Sequence, residues 1–250
     1  MCYRYSQLRA WSDLVSIYRI TADVTPLNLQ ARYNLAPTQD VPIVRQAKDS
    51  TDRELLAVRW GLVPFWAKDI KIGYSLINAR AETVDSKPSF RQAFRQRRCL
   101  IPANGFYEWQ SLDTRNKQPY YITLPDERPF AFAGLWESWT SLKGEVIESC
   151  TIIVTAANAQ LRPVHDRMPV MLEPERFEAW LDTGAPLKET RSLLRPYDGQ
   201  LAMYPVSQHV NSVRHDDPQC AEPLQEGRER AVDSASGSLI PTSIDHDRIA

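Results

Sequence analysis

Leu8, Trp11, Leu14, Val15 and Tyr18 recur at three- and four-residue spacing, the period of a helix that buries one face. A helix is therefore predicted just after the amino-terminal residues, with Ser6 as its cap. Further along, runs of β-branched and aromatic residues bounded by turn formers predict strands at 55–62, 99–101, 106–109, 120–124, 130–136 and 151–155. Asn104-Gly105 reads as a turn between the second and third of these. Short helices are predicted at 89–96 and 175–181. Strands and helices mix without regular βαβ alternation, which predicts an α+β domain. No internal repeat is visible. From Gln225 the chain turns polar, through Glu226-Gly227-Arg228-Glu229-Arg230 and Ser234-Ala235-Ser236-Gly237-Ser238. Residues 2–223 are thus expected to form the domain and 224–250 a disordered tail.

Composition narrows the class of function. A net charge of -1 over 250 residues excludes a uniformly basic nucleic-acid binder, so any DNA contact has to be local. No apolar run approaches the ~20 residues of a membrane span, and the amino terminus lacks a signal-peptide pattern; a cytoplasmic protein is expected. Cysteines at 2, 99, 150 and 220 are far apart with no Cys-x-x-Cys pair, which suggests neither a zinc site nor a disulfide framework. Reduced thiols, no metal and no cofactor are the expectation. The basic run Lys87, Arg91, Arg95, Arg97 and Arg98 has helical spacing and reads as a solvated face.

The chemistry begins at Cys2. Removal of Met1 would place a free α-amine and a thiol on one residue, a 1,2-aminothiol. With the amine titrating near ~7.7–8.0 and the thiol near ~8.5, both nucleophiles are available around neutrality. Such a group condenses with an aldehyde: the amine forms a Schiff base with loss of water, and the sulfur closes a thiazolidine onto the imine carbon. A cysteine in second place is more often inert, so the reading needs partners elsewhere. Glu108, between Tyr107 and Trp109 on a predicted strand, is the candidate general acid/base if burial raises its pKa. His165, in a segment bounded by Pro163 and Pro169, can assist proton transfer. The Asn78 amide can orient the amine or a sugar.

Five segments, in order along the chain, resemble the motifs of the SRAP family, the SOS-response-associated peptidases now understood as abasic-site shields. They are Met1-Cys2-Tyr3-Arg4-Tyr5; Trp60-Gly61-Leu62-Val63-Pro64-Phe65-Trp66 running on to Asn78-Ala79-Arg80-Ala81-Glu82-Thr83; Arg98 through Asn104-Gly105-Phe106-Tyr107-Glu108-Trp109; Pro163-Val164-His165-Asp166-Arg167-Met168-Pro169; and Val206-Ser207 through Asp217-Pro218-Gln219-Cys220. The resemblance implies a mixed, largely antiparallel bifurcated sheet with a small barrel-like core and surrounding helices. It also implies a monomer acting in the DNA-damage response on single-stranded DNA that contains abasic sites, by covalent crosslinking, with peptidase or lyase-type side activities. It assigns catalysis to Cys2, Asn78, Glu108 and His165, and phosphate contacts to Arg4, Arg80 and Arg167, whose guanidinium forks suit phosphate oxygens. Trp66 would stack on bases or wedge into a duplex; the competing reading makes the tryptophan-rich strand part of the core. Tyr3 stands where the family usually has glycine, and its ring either crowds the entrance or stacks on a base. Two other functions fit the same residues: an N-terminal-nucleophile cysteine amidohydrolase or peptidase, which would ignore abasic DNA, and a non-catalytic single-stranded-DNA-binding module, which would survive loss of Cys2.

Overall fold

In the computed structural model, residues 2–23, 27–48 and 50–224 are described; the expected tail lies outside them from residue 225 onward. Alternation of apolar residues builds a closed barrel of five strands: β3 (Asp40–Gln46), β4 (Arg53–Trp60), β6 (Arg98–Ala103), β9 (Phe130–Thr140) and β10 (Val146–Ala156). The hydrogen-bonded order β10-β4-β3-β6-β9 returns to β10, so the ring has no open edge. Every pairing around it is antiparallel except β4 with β10. Period two sorts the side chains. Cys99 and Ile101 of β6 enter the cluster that fills the barrel with Val41, Ile43, Trp60, Phe132 and Ile152. Leu100, Ala131, Ala133 and Ile153 face outward, under α1 (Trp11–Tyr18), α2 (Arg91–Gln96) and α3 (Phe177–Leu181). Each large side chain removed from water stabilises the fold by roughly 1.5–3 kcal/mol.

A second sheet caps the barrel, with strands β2 (Arg32–Leu35), β1 (Arg4–Gln7), β7 (Gly105–Ser111), β8 (Lys117–Thr123) and β13 (Ala202–Pro205) side by side. One face sends Tyr5, Phe106 and Ile122 into the barrel cluster. The other sends Tyr107 and Tyr121 under a carboxy-terminal segment carrying Val206, Val210 and Cys220. The chain crosses between sheets at Asn104, where a turn was predicted; it bends there without reversing. Asn104 accepts from Leu8 N at 2.8 Å through Oδ1 and donates its own N–H to Ser6 O at 2.9 Å. Gly105 is obligatory at this crossing, because a Cβ would collide with the Tyr121 ring. Gly61, leaving β4, has φ +127 and lies against Gly73 O, another position closed to a side chain.

All six predicted strands and all three predicted helices exist, with shifted ends. Three short strands escaped the sequence: β5 (Asn78–Arg80), β11 (Arg167–Pro169) and β12 (Met171–Leu172). So did β1, β2, β3, β13 and helix α4 (Leu187–Ser192). Ser6 is not a helix cap. It is buried in β1, with its hydroxyl 2.7 Å from Tyr121 Oη, and α1 starts at Trp11 with Ala10 making no side-chain cap. The basic run is not one solvated face either. Arg98 is 2% exposed and donates to the Trp180 and Phe94 carbonyl oxygens at 2.6 and 2.8 Å, while Arg97 pairs with Glu137 at 2.5 Å.

Candidate active site

The site forms where the capping sheet meets one end of the barrel. Strands β1 and β7 pair with Arg4 opposite Tyr107 and Tyr5 opposite Phe106; that antiparallel register, continued toward the amino end, carries Tyr3 to the level of Glu108 and Cys2 to that of Trp109. On the barrel side, β5 runs parallel to β10 with Asn78 opposite Ile152 and Arg80 opposite Val154. Strand β11 lies antiparallel on the other side of β10, with Arg167 opposite Ala156. The end of one central strand therefore sets Asn78 and Arg80 on one flank and Arg167 on the other. His165 precedes β11, in a turn tied back by its own N–H to Leu161 O at 3.0 Å.

Four residues distant in sequence converge here. The Asn78 Nδ2 donates to the Cys2 carbonyl at 2.9 Å, and its Oδ1 is buried with no hydrogen-bond partner among the described residues. His165 Nε2 lies 3.8 Å from Glu108 Oε2. His165 Nδ1 accepts from Arg167 N at 3.0 Å in the tautomer that carries its proton on Nε2, toward Glu108, and donates to Arg167 O at 3.2 Å in the other, with Asp166 Oδ1 also 3.2 Å away. Gln110, two residues along β7 from Glu108, donates to Pro163 O at 3.1 Å and ties the histidine turn to the same strand; no sequence signal marked it.

Burial sets the protonation states. Glu108 is 1% exposed, and desolvation raises its pKa to about 7, as the sequence reading required. Burial lowers His165, so the ring is neutral at neutral pH. Cys2 departs from expectation. It is fully buried, and desolvation with the neighbouring Glu108 charge pushes its thiol far above the ordinary range. The thiol is thus protonated in this form, and a thiolate has to be generated by a base during reaction.

Above these groups opens a cleft of about 690 Å³ lined by Tyr3, Arg80, Glu82, Lys117, His165 and Arg167, among others. Tyr3 is 41% exposed there. Arg167 is bound by Glu82, Nη1 to Oε1 and Nη2 to Oε2, both at 2.7 Å. Arg80 is exposed. Arg4 is held away from the cleft. Its Nη1 donates to Asn34 Oδ1 at 3.0 Å and Val210 O at 2.9 Å, and its Nη2 to Asn211 O at 3.3 Å. These three acceptors occupy the guanidinium that was expected at a phosphate. The tryptophans divide: Trp60 is fully buried, whereas Trp66 is 46% exposed beside an exposed Phe65. Sequence reasoning did not single out Glu82 or Lys117; the former lay inside a quoted motif, the latter on the hairpin partner of β7.

Metal-ligating groups come together elsewhere. Among the described residues, the donor atoms of His209, Asp217 and Cys220 lie within 4.8 Å of one another. There the Asp217 carboxylate already takes His209 Nε2 at 3.0 Å and the N–H of Gln219 at 3.0 Å.

The chain has relatives among known proteins. The chain is 41% identical over 228 residues to the abasic site processing protein YoqW of Bacillus subtilis (strain 168), covering 89% of this chain and 99% of that protein. It is 35% identical over 237 residues to the abasic site processing protein HMCES of Gallus gallus, covering 82% and 70%. A crystal structure of a protein from Bacteroides thetaiotaomicron superposes with a TM-score of 0.80 at 30% identity, over 90% of this chain and all of that one. The family model for SOS response associated peptidase (SRAP) matches residues 1–213, and the chain belongs to that family.

Proposed function

We propose that this protein captures abasic sites in single-stranded DNA by forming a thiazolidine between Cys2 and the ring-opened sugar. The observation that carries the reading is the convergence of Cys2, Asn78, Glu108 and His165 under one cleft, with the carboxyl of Glu108 poised at about 7. Two relatives named as abasic site processing proteins support it. After Met1 is removed, protonated Glu108 gives a proton to the ring oxygen of the closed sugar and takes one from the anomeric hydroxyl, so the ring C–O bond breaks and the aldehyde is freed. The Cys2 amine adds to the carbonyl carbon, and the carbinolamine loses water as Glu108 and His165 relay protons. The Glu108 carboxylate then takes the thiol proton while sulfur bonds to the imine carbon and the C=N electron pair returns to nitrogen. Asn78 holds the Cys2 carbonyl and so aims the amine. Arg80 and Arg167 would contact flanking phosphates, and Trp66 would stack on or wedge between neighbouring bases.

The same thiol next to a carboxyl suits peptide cleavage ahead of Cys2, and Schiff-base chemistry suits strand cleavage, so peptidase and lyase-type activities belong to this reading. The protein would act as a monomer in the cytoplasm, where its four unpaired cysteines stay reduced.

The test is a uracil-containing oligonucleotide treated with a glycosylase, incubated with the protein and run on a denaturing gel. A shifted band is expected from the wild type, and none from Cys2→Ala or from protein with an uncleaved amino-terminal tag. Robust crosslinking by the tagged protein would sink the aminothiol mechanism; crosslinking by no form at all, with release of glutamate or ammonia from an amide, would favour the amidohydrolase reading.

A further inference from the structure

We propose that Glu82 is a latch that stands in for a DNA phosphate: in the free protein its carboxylate fills the guanidinium fork of Arg167, and an entering strand has to displace it. The inference rests on the DNA-capture reading above and adds a residue that controls access to it.

Geometry makes the substitution chemically natural. The two carboxylate oxygens of Glu82 meet Nη1 and Nη2 of Arg167 at 2.7 Å each, the parallel two-oxygen arrangement that a phosphodiester also presents. The partners differ in freedom. Arg167 belongs to β11 and its side chain is only 19% exposed, whereas Glu82 sits on the turn after β5 with its side chain 50% exposed. The carboxylate can therefore swing into solvent while the guanidinium stays in place. Exposed ion pairs are weak, so the exchange for a phosphate is accessible.

Charge points the same way. The cleft lining holds Arg80, Lys117 and Arg167 against Glu82 and Asp166, with His165 neutral by burial. Glu82 thus cancels much of the positive field that would attract a polyanion. Hydrogen bonding from Arg167 lowers its pKa and keeps it charged. The consequence is selectivity: undamaged single strands, which offer only phosphates, are held weakly, while a lesion-bearing strand is retained by the covalent bond, which the latch does not weaken.

The test is fluorescence anisotropy of a fluorescein-labelled oligothymidylate without an abasic site, titrated with wild type, Glu82→Gln, Glu82→Ala, Arg167→Ala and the Glu82→Gln/Arg167→Ala double variant, each checked by circular dichroism. Both Glu82 variants are expected to bind roughly three- to tenfold tighter than wild type at low salt. In the Arg167→Ala background that gain should vanish. Unchanged or weaker binding by the Glu82 variants would overturn the latch, and so would a gain persisting in full without Arg167, which would mark a general charge effect. A wild type that crosslinks abasic DNA beside variants that bind no tighter removes the latch alone; if no protein in the set binds or crosslinks DNA, the capture reading falls and the latch with it.

Discussion

At the scale of single residues, Glu108 carries the clearest thermodynamic signature. Burial holds its folded pKa at about 7, against an ordinary 4.5, so the folded state binds the proton more tightly than the unfolded chain does. The associated stability is present below pH 4.5 and is lost as pH rises through 7. A shift of this size corresponds to about 3 kcal/mol. Glu108→Gln, which cannot ionise, is therefore expected to be the more stable protein at pH 8 by a few kcal/mol, with the gap closed at pH 4; urea unfolding at the two pH values measures it. The same variant should slow crosslinking by ~10²–10⁴-fold and leave binding of undamaged single strands nearly intact. Equal loss of binding and capture would show that Glu108 holds the DNA and not the proton. A group that destabilises its own fold at working pH is kept for its chemistry.

At the scale of elements, the capping sheet depends on contacts that the strand pattern does not announce. Arg4 on β1 joins β2, through Asn34, to the 3-10 helix Gln208–Asn211, through the carbonyls of Val210 and Asn211. Arg4→Ala removes the donor to Asn34 Oδ1 and Asn211 O, while Val210 O keeps Asn34 Nδ2 at 3.1 Å, at a cost of roughly 1–3 kcal/mol. Thermal unfolding is expected to show that loss, while the salt dependence of single-strand binding stays as in wild type; a flattened salt dependence would return Arg4 to the phosphate contacts. Gly105→Ala is expected to do greater damage to the same sheet, because the added methyl meets the Tyr121 ring and Tyr121 is itself bonded to buried Ser6.

At the scale of the whole molecule, a net charge of -1 means that the proposed DNA binding has to rest on a local patch. Arg80, exposed and on the cleft, is proposed as a member of it. Arg80→Ala is expected to weaken single-strand binding and to lower the log–log salt slope by about one phosphate's worth, ~0.7. An unchanged slope would place the DNA path off this cleft. The patch exists because β10 carries β5 and β11 on its two sides, and because the barrel closes with its end turned toward the capping sheet.

Local pattern determined a good deal by itself. The longer strands, the helix at α1 and the α+β class follow from periodicity, since a half-buried strand or helix has to repeat its apolar residues at its own period. Cys2, Glu108 and His165 could be nominated because few residue types carry nucleophilic or proton-transfer chemistry at neutral pH. The short strands β5, β11 and β12 were invisible for the converse reason: two or three residues hold no period, and their conformation comes from pairing with neighbours remote in sequence. Fold class was legible, and the family resemblance implied the barrel-like core that the structure has; alternation alone could not give its closure, because the β9–β10 pairing that closes the ring is one register among many that the same alternation allows. Only the tertiary structure decided the protonation states. Burial is a property of the assembled molecule, and it raised Glu108, silenced the Cys2 thiol and left His165 neutral. It likewise separated two arginines that look alike in sequence, setting Arg4 against the Val210 carbonyl and Arg167 on the cleft, where a carboxylate 85 residues away along the sequence fills its fork.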